Sequence, residues 1–155
     1  MFDSTHEKFA VPSPWLEHRG LSLASLARYG VFQYDNPRRT TQYKGKVLFP
    51  IRRFATGESV GYLAWNPNTA EGEPVFRFPR GVHKHLELFG ARELREDAPI
   101  RVLYVVESPL CVMAFWQKGF PAVSPYGGLI SHRQADIISE LARGCVFLPD
   151  RDRYC

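Results

Sequence analysis

The chain has 155 residues, 45% hydrophobic, 14% aromatic and 23% charged. That supports a buried core of one domain or two small lobes and excludes a disordered chain, and no apolar run approaches the ~20 residues of a membrane-spanning helix. Twenty Lys and Arg against 16 Asp and Glu leave a net charge of +4. The excess is local: Arg28, Arg38, Arg39, Lys44, Lys46, Arg52 and Arg53 face a single acid, Asp35, in the same stretch. Such a stripe suits a polyanionic partner, and it is equally the composition of a solvated basic face.

Residues 1–13 read as a polar arm. The polar opening Met1–Glu7 predicts no export signal. Three cysteines, Cys111, Cys145 and Cys155, include no Cys-x-x-Cys pair. They predict a reducing, cytoplasmic setting without a structural zinc site, with Cys111 and Cys145 as buried thiols. Trp15–Arg19 forms one helical turn before Gly20. Ser22 caps a helix over Leu23–Tyr29, and Gly30 stops it. Lys46–Ile51 and Ser59–Trp65 are strands joined by Ala55-Thr56-Gly57 into a hairpin. A loop follows over Pro67–Pro74, then a short strand at Val75–Phe78 and a short helix at Leu86–Leu94. The pattern over 14–98 is that of a basic α+β lobe.

From residue 99 onward the signals sharpen. Arg101–Val106 is almost continuously apolar, as in a parallel strand covered on both faces. Ser108 and Pro109 supply an N-cap and a first-turn proline for a helix running to Lys118, with Gly119 as its stop. Pro121–Pro125 is a second strand. Ser131-His132-Arg133-Gln134 is a capping box that opens a helix ending near Arg143. Cys145–Leu148 is a third strand. The β-α-β-α-β order predicts an α/β unit over 99–155 with a parallel sheet and right-handed crossovers.

Ligands of open parallel sheets bind beyond the carboxyl ends of the strands. Glu107 follows the first of these strands, and Asp150 and Asp152 follow the third. Three converging carboxylates repel one another, and a hard divalent cation, Mg²⁺ or Mn²⁺, removes that cost. The plainer reading makes Glu107 a helix-start acid and the two aspartates solvated loop residues. His83-x-His85 flanks Lys84 in a basic loop and fits phosphate contact or simple exposure better than a metal site. Phe115 and Trp116 are expected in the core, and Gly127-Gly128 is expected to form a flexible turn.

Tyr104-Val105-Val106-Glu107, a helix, Gly119-Phe120-Pro121, Gly127 and Leu148-Pro149-Asp150-Arg151-Asp152 together resemble the TOPRIM domain of bacterial-type DNA primases, topoisomerases and some nucleases. The preface resembles the primase catalytic core in particular. It comprises Trp15–Ser22, Gly45–Ile51, Gly57 with Val60-Gly61-Tyr62, Phe76–Pro79, Lys84 and Leu88-Phe89-Gly90. The resemblance implies Mg²⁺-dependent nucleotidyl transfer, RNA primer synthesis on single-stranded DNA from NTPs, with a replicative helicase as a partner. It implies Glu107, Asp150 and Asp152 as the catalytic, metal-binding acids. Lys46, Arg77 and Lys84, in a lobe that also carries Arg52 and Arg53, are implied as holders of template or nucleotide phosphates. The chain departs from the pattern at Ser108 and Cys111, where the primases carry Gly and Asp, and at Ala64-Trp65-Asn66, where they carry Gly-Arg. A TOPRIM domain ordinarily continues with a further helix and strand, so the parallel sheet is expected to be incomplete and its open edge to self-associate. A nucleic-acid-binding protein without catalysis and a TOPRIM nuclease are the alternatives.

Overall fold

The computed structural model describes residues 8–36, 43–66, 76–78 and 81–149. The chain divides into two compact units, one of Met1–Ile51 with Ser59–Val82, the other of Arg52–Glu58 with His83–Cys155. Across them the architecture is mixed α/β, with one antiparallel and one parallel sheet.

The first unit carries strands β1 (Ala10–Val11), β2 (Phe32–Tyr34), β3 (Val47–Arg52), β4 (Ser59–Trp65) and β5 (Phe76–Arg77), which lie side by side in chain order. Helices α1 (Pro14–His18) and α2 (Leu23–Tyr29) precede β2. Both ends of α2 are written locally. The Ser22 hydroxyl accepts the Ser25 N–H at 3.2 Å, and Gly30 closes the helix in the left-handed region at φ 64°. Strand β3 is buried from Val47 to Pro50 and on to Ile51. Proline in an inner strand would leave a ladder carbonyl unpaired. Here β2 registers only with Val47 and Leu48, so Pro50 lies past that pairing. Tyr34, Leu48, Tyr62 and Ala64 form the core of this sheet, with Phe32 edge-on to Tyr62 at 5.8 Å and Phe9 edge-on to Tyr34 at 6.1 Å.

In the second unit β6 (Leu103–Val106) lies between β7 (Ala122–Val123) and β8 (Cys145–Leu148), parallel to both. Helix α3 (Pro109–Gln117) links β6 to β7, and α4 (His132–Leu141) links β7 to β8. Gln134, Ile137, Ile138 and Leu141 are the buried residues of α4, a helical 3-4 spacing that lays one stripe against Leu103, Val105 and Val123. Its start is a complete capping box: Ser131 Oγ accepts the Gln134 N–H, and Gln134 Oε1 accepts the Ser131 N–H.

Several expectations are corrected. Residues 10–11, expected in an arm, form the edge strand β1, paired antiparallel with β2, itself unforeseen. The expected helix over Leu86–Leu94 is two 3₁₀ turns, Lys84–Leu86 and Arg92–Asp97. Between them Phe89 exchanges both backbone hydrogen bonds with Ser124, at 2.9 and 3.0 Å, and Gly90 turns at φ 86°. These bonds compete with a helical ladder and win. The expected boundary at residue 98 also differs, since Leu88, Ala91 and Leu94 belong to the core of the second unit. Cys145 is exposed and Cys111 half-buried, and Phe115 and Trp116 are half-buried on α3. Among the described residues no helix is long and apolar enough to cross a membrane.

Candidate functional site

Strands β6 and β8 end level, with Val106 opposite Leu148. Glu107 is the next residue after β6 and is 9% exposed. Ser108, not Glu107, caps α3, its hydroxyl accepting the Leu110 N–H at 3.3 Å. Glu107 is fixed from a third direction. The fully buried Ser124, just past β7, donates its hydroxyl to the Glu107 carbonyl at 2.7 Å and accepts the Tyr126 N–H at 3.2 Å. One hydroxyl thereby ties the end of β6 to the loop after β7, using its single donor and one lone pair. Asp150 and Asp152 lie outside the described residues. Among those described, no three His, Cys, Asp or Glu side chains gather as metal ligands.

A cleft of about 470 Å³ opens beside that loop, lined by Lys84, His85, the 125–131 segment and Gln134. Lys84 Nζ donates to the Tyr126 carbonyl at 3.4 Å. Tyr126 takes φ 60°, which is uncommon for a bulky side chain, and its ring is buried edge-on to Phe89 at 6.2 Å. Burial, with the nearby carboxylates of Glu93 and Glu87, holds the Tyr126 hydroxyl well above the usual phenol range, so it stays neutral. Gly127 turns at φ 152°, and a Cβ there would stand 3.8 Å from Lys84 Nζ. The expected Gly127-Gly128 turn therefore forms the floor under an exposed lysine. His83 and His85 pack ring against ring, centroids 5.4 Å apart, on either side of Lys84.

The other basic residues are placed differently. Lys46 is half-buried at the entrance to β3, where its backbone pairs with Tyr34 and Tyr43. Arg77 lies on β5, opposite Ala64. Both belong to the first unit. Arg52 is taken up by Glu93 in a part-buried ion pair of 2.6 Å, and Arg53 stands 3.5 Å from Glu58 across the exposed hairpin tip. At the site of the Gly-Arg departure, Trp65 is buried and the Arg19 guanidinium lies over its ring at 5.2 Å.

Glu87 directly follows the Lys84–Leu86 turn as its C-cap. Its Oε2 accepts the Phe54 N–H at 2.8 Å. Burial holds its pKa above the usual carboxylate range, against the lowering by the Phe54 hydrogen bond and by Arg133 and Arg53. A raised folded-state pKa means that the native protein binds the proton more tightly, so this group withdraws stability as pH rises through that range. Glu87→Gln keeps an oxygen for Phe54 and removes the charge. Its melting temperature should equal that of wild type near pH 3.5 and exceed it near pH 7, in the direction set by linkage. Thermal scans at the two pH values check this; a gap independent of pH contradicts it.

No protein-family model and no curated protein sequence matches the chain. Solved structures do. The DnaG primase catalytic domain bound to single-stranded DNA is similar with a TM-score of 0.75 and 21% identity, over 97% of this chain and 61% of that one. The Escherichia coli primase catalytic core gives 0.68 and 22%, over 86% of this chain and 53% of that one. The primase fragment of the bacteriophage T7 primase-helicase protein gives 0.62 and 17%, over 88% of this chain and 54% of that one. The chain thus spans 53–61% of the length of these structures. On these similarities this protein has the primase-like TOPRIM fold of the DnaG-type catalytic cores.

Proposed function

We propose that this chain is a primase-like nucleotidyltransferase that builds RNA on a single-stranded DNA template. The observation that carries the reading is the primase-core fold, with Glu107 just past the carboxyl end of β6, where the sequence resemblance to TOPRIM domains implies an acid. In this reading the first unit is the basic lobe and the second the TOPRIM lobe. One similar structure holds single-stranded DNA, which supports a DNA template here. Another comes from a primase-helicase protein, which supports a helicase as partner.

The residues fit a divalent cation by their chemistry. Glu107 is nearly buried and has its backbone locked by Ser124, and β8, which Asp150 and Asp152 follow in the sequence, ends level with β6. A hard, all-oxygen set of this kind suits Mg²⁺ or Mn²⁺. A bound cation would supply charge stabilisation to the attacking hydroxyl and the departing pyrophosphate. The chain's own part is to position. Lys84, above the Gly127-Gly128 floor, and Lys46 and Arg77 meet phosphate oxygens of template and nucleotide, with Lys84 facing both. Arg52 we assign to structure, since Glu93 already satisfies it, and Arg53 to the solvated surface. The test is incorporation of labelled NTPs into short RNA on single-stranded DNA with Mg²⁺.

The exposed strand β8 supports one further part of the reading. It lies at one end of the described parallel sheet, with Val146, Phe147 and Leu148 each about 40% exposed. An apolar strand edge of this kind is a template for pairing, here with a second copy of the chain. Sedimentation velocity should show concentration-dependent dimerisation that Phe147→Lys suppresses. A monomer at every concentration would exclude it.

A further inference from the structure

We infer that Gln134 is the positioning residue of the cleft: its side-chain amide holds the Lys84 turn and the loop after β7 in one arrangement. Gln134 is 1% exposed and stands at the first turn of α4. Its Oε1 accepts the Ser131 N–H at 3.0 Å, completing the capping box. Its Nε2 faces three carbonyls from two other segments: Glu87 at 2.8 Å, Lys84 at 3.2 Å and Pro125 at 3.4 Å. A capping box requires only the oxygen of this amide. The nitrogen is therefore available for a second task, and its contacts are with residues 50, 47 and nine positions earlier in the chain.

The chemistry of the position is restrictive. An acceptor must face Ser131 while a donor faces three oxygens, and only a primary amide of this reach presents both. Glutamate would turn a second acceptor toward the three carbonyls inside a buried site, and methionine would fill the volume with no donor at all. The ligand of the cleft touches Lys84 and the glycine floor, so Gln134 acts through them. Lys84 Nζ itself donates to the Tyr126 carbonyl on that floor, at 3.4 Å. The Ser131 hydroxyl adds another tie between the two segments, donating to the His85 carbonyl at 2.5 Å. Without the Gln134 amide nitrogen, Lys84 keeps its charge, but its turn loses the hydrogen bonds that Nε2 makes to the Lys84 and Glu87 carbonyls.

This role rests on the reading of the cleft as a nucleotide-phosphate site, and the test separates the two. The probe is ATP, and the proteins are wild type, Gln134→Met, Lys84→Ala and the double variant. Hydrogen exchange is measured alongside on peptides covering 83–88 and 124–131. Gln134→Met should raise exchange in both segments together while the amides of β6 stay protected. It should weaken ATP binding roughly tenfold, the equivalent of one to two buried hydrogen bonds. In the Lys84→Ala background it should add almost nothing, because the two residues act as one unit. Unchanged exchange in either segment overturns the inference, and so does a loss of affinity additive with that of Lys84→Ala. A wild-type chain that binds no ATP overturns the nucleotide reading of the cleft and leaves the exchange result to decide the role of Gln134.

Discussion

Glu107→Gln should abolish primer synthesis, lowering the rate at least about 100-fold, while the protein remains folded. Removing a group that offsets charge developing at a reacting phosphate has effects of that size. The substitution leaves two structural contacts in place, because the α3 cap belongs to Ser108 and the Ser124 hydrogen bond goes to the Glu107 backbone. The same substitution should uncouple the protein from divalent cations. A ligand at 100 times its dissociation constant stabilises the native state by about 2.7 kcal/mol, which raises the melting temperature of a chain of this size by roughly 5–10 °C. Mg²⁺ should produce such a shift in wild type. Neither Glu107→Gln nor the double change Asp150→Asn with Asp152→Asn should show it. A wild-type melting temperature indifferent to Mg²⁺ and Mn²⁺, or a full shift in the variants, contradicts the three-acid site.

Lys84→Ala should lower affinity for single-stranded DNA about tenfold at low salt and flatten its salt dependence. Each phosphate neutralised releases counterions, so the logarithm of affinity falls with the logarithm of salt at about 0.7 per contact on single strands. Lys46→Ala should lose the same increment. Base preference should stay as in wild type, because phosphate contacts position without specifying. Arg52→Gln should leave the slope unchanged, since the Arg52 guanidinium already pairs with Glu93 at 2.6 Å. A salt titration of oligonucleotide binding for the four proteins reads all of this at once. Four indistinguishable slopes would make the basic stripe a solvated face.

Local signals carried much of the fold. Ser22 and Gly30 bracket α2, Ser108-Pro109 opens α3, and Ser131 with Gln134 opens α4, because caps act on neighbours within four residues. Strands β4 and β8 were legible from their apolar content between turn residues. Strands β1 and β2 were not, as two or three residues carry no periodicity and their pairing is with distant chain. The leucines at 86, 88 and 94 mimic a helix, but the backbone of Phe89 finds Ser124 instead. The site divides in the same way. Glu107 could be located from its place after a buried strand. The tie from Ser124, the Arg52–Glu93 pair across 41 positions and the three carbonyls around Gln134 depend on the folded chain, and no spacing rule announces them. The capping-box pattern marked Gln134 as a helix-start residue; only the fold shows what its nitrogen does.

Template-directed synthesis is tested most directly by its product. The chain is incubated with single-stranded DNA, the four NTPs with one labelled, and Mg²⁺, and both strands are resolved on a denaturing gel. A nucleotidyltransferase of this fold should yield short labelled RNA that depends on template and on Glu107, with the DNA left intact. DNA bound without labelled product, or DNA cut while no RNA appears, would contradict the account.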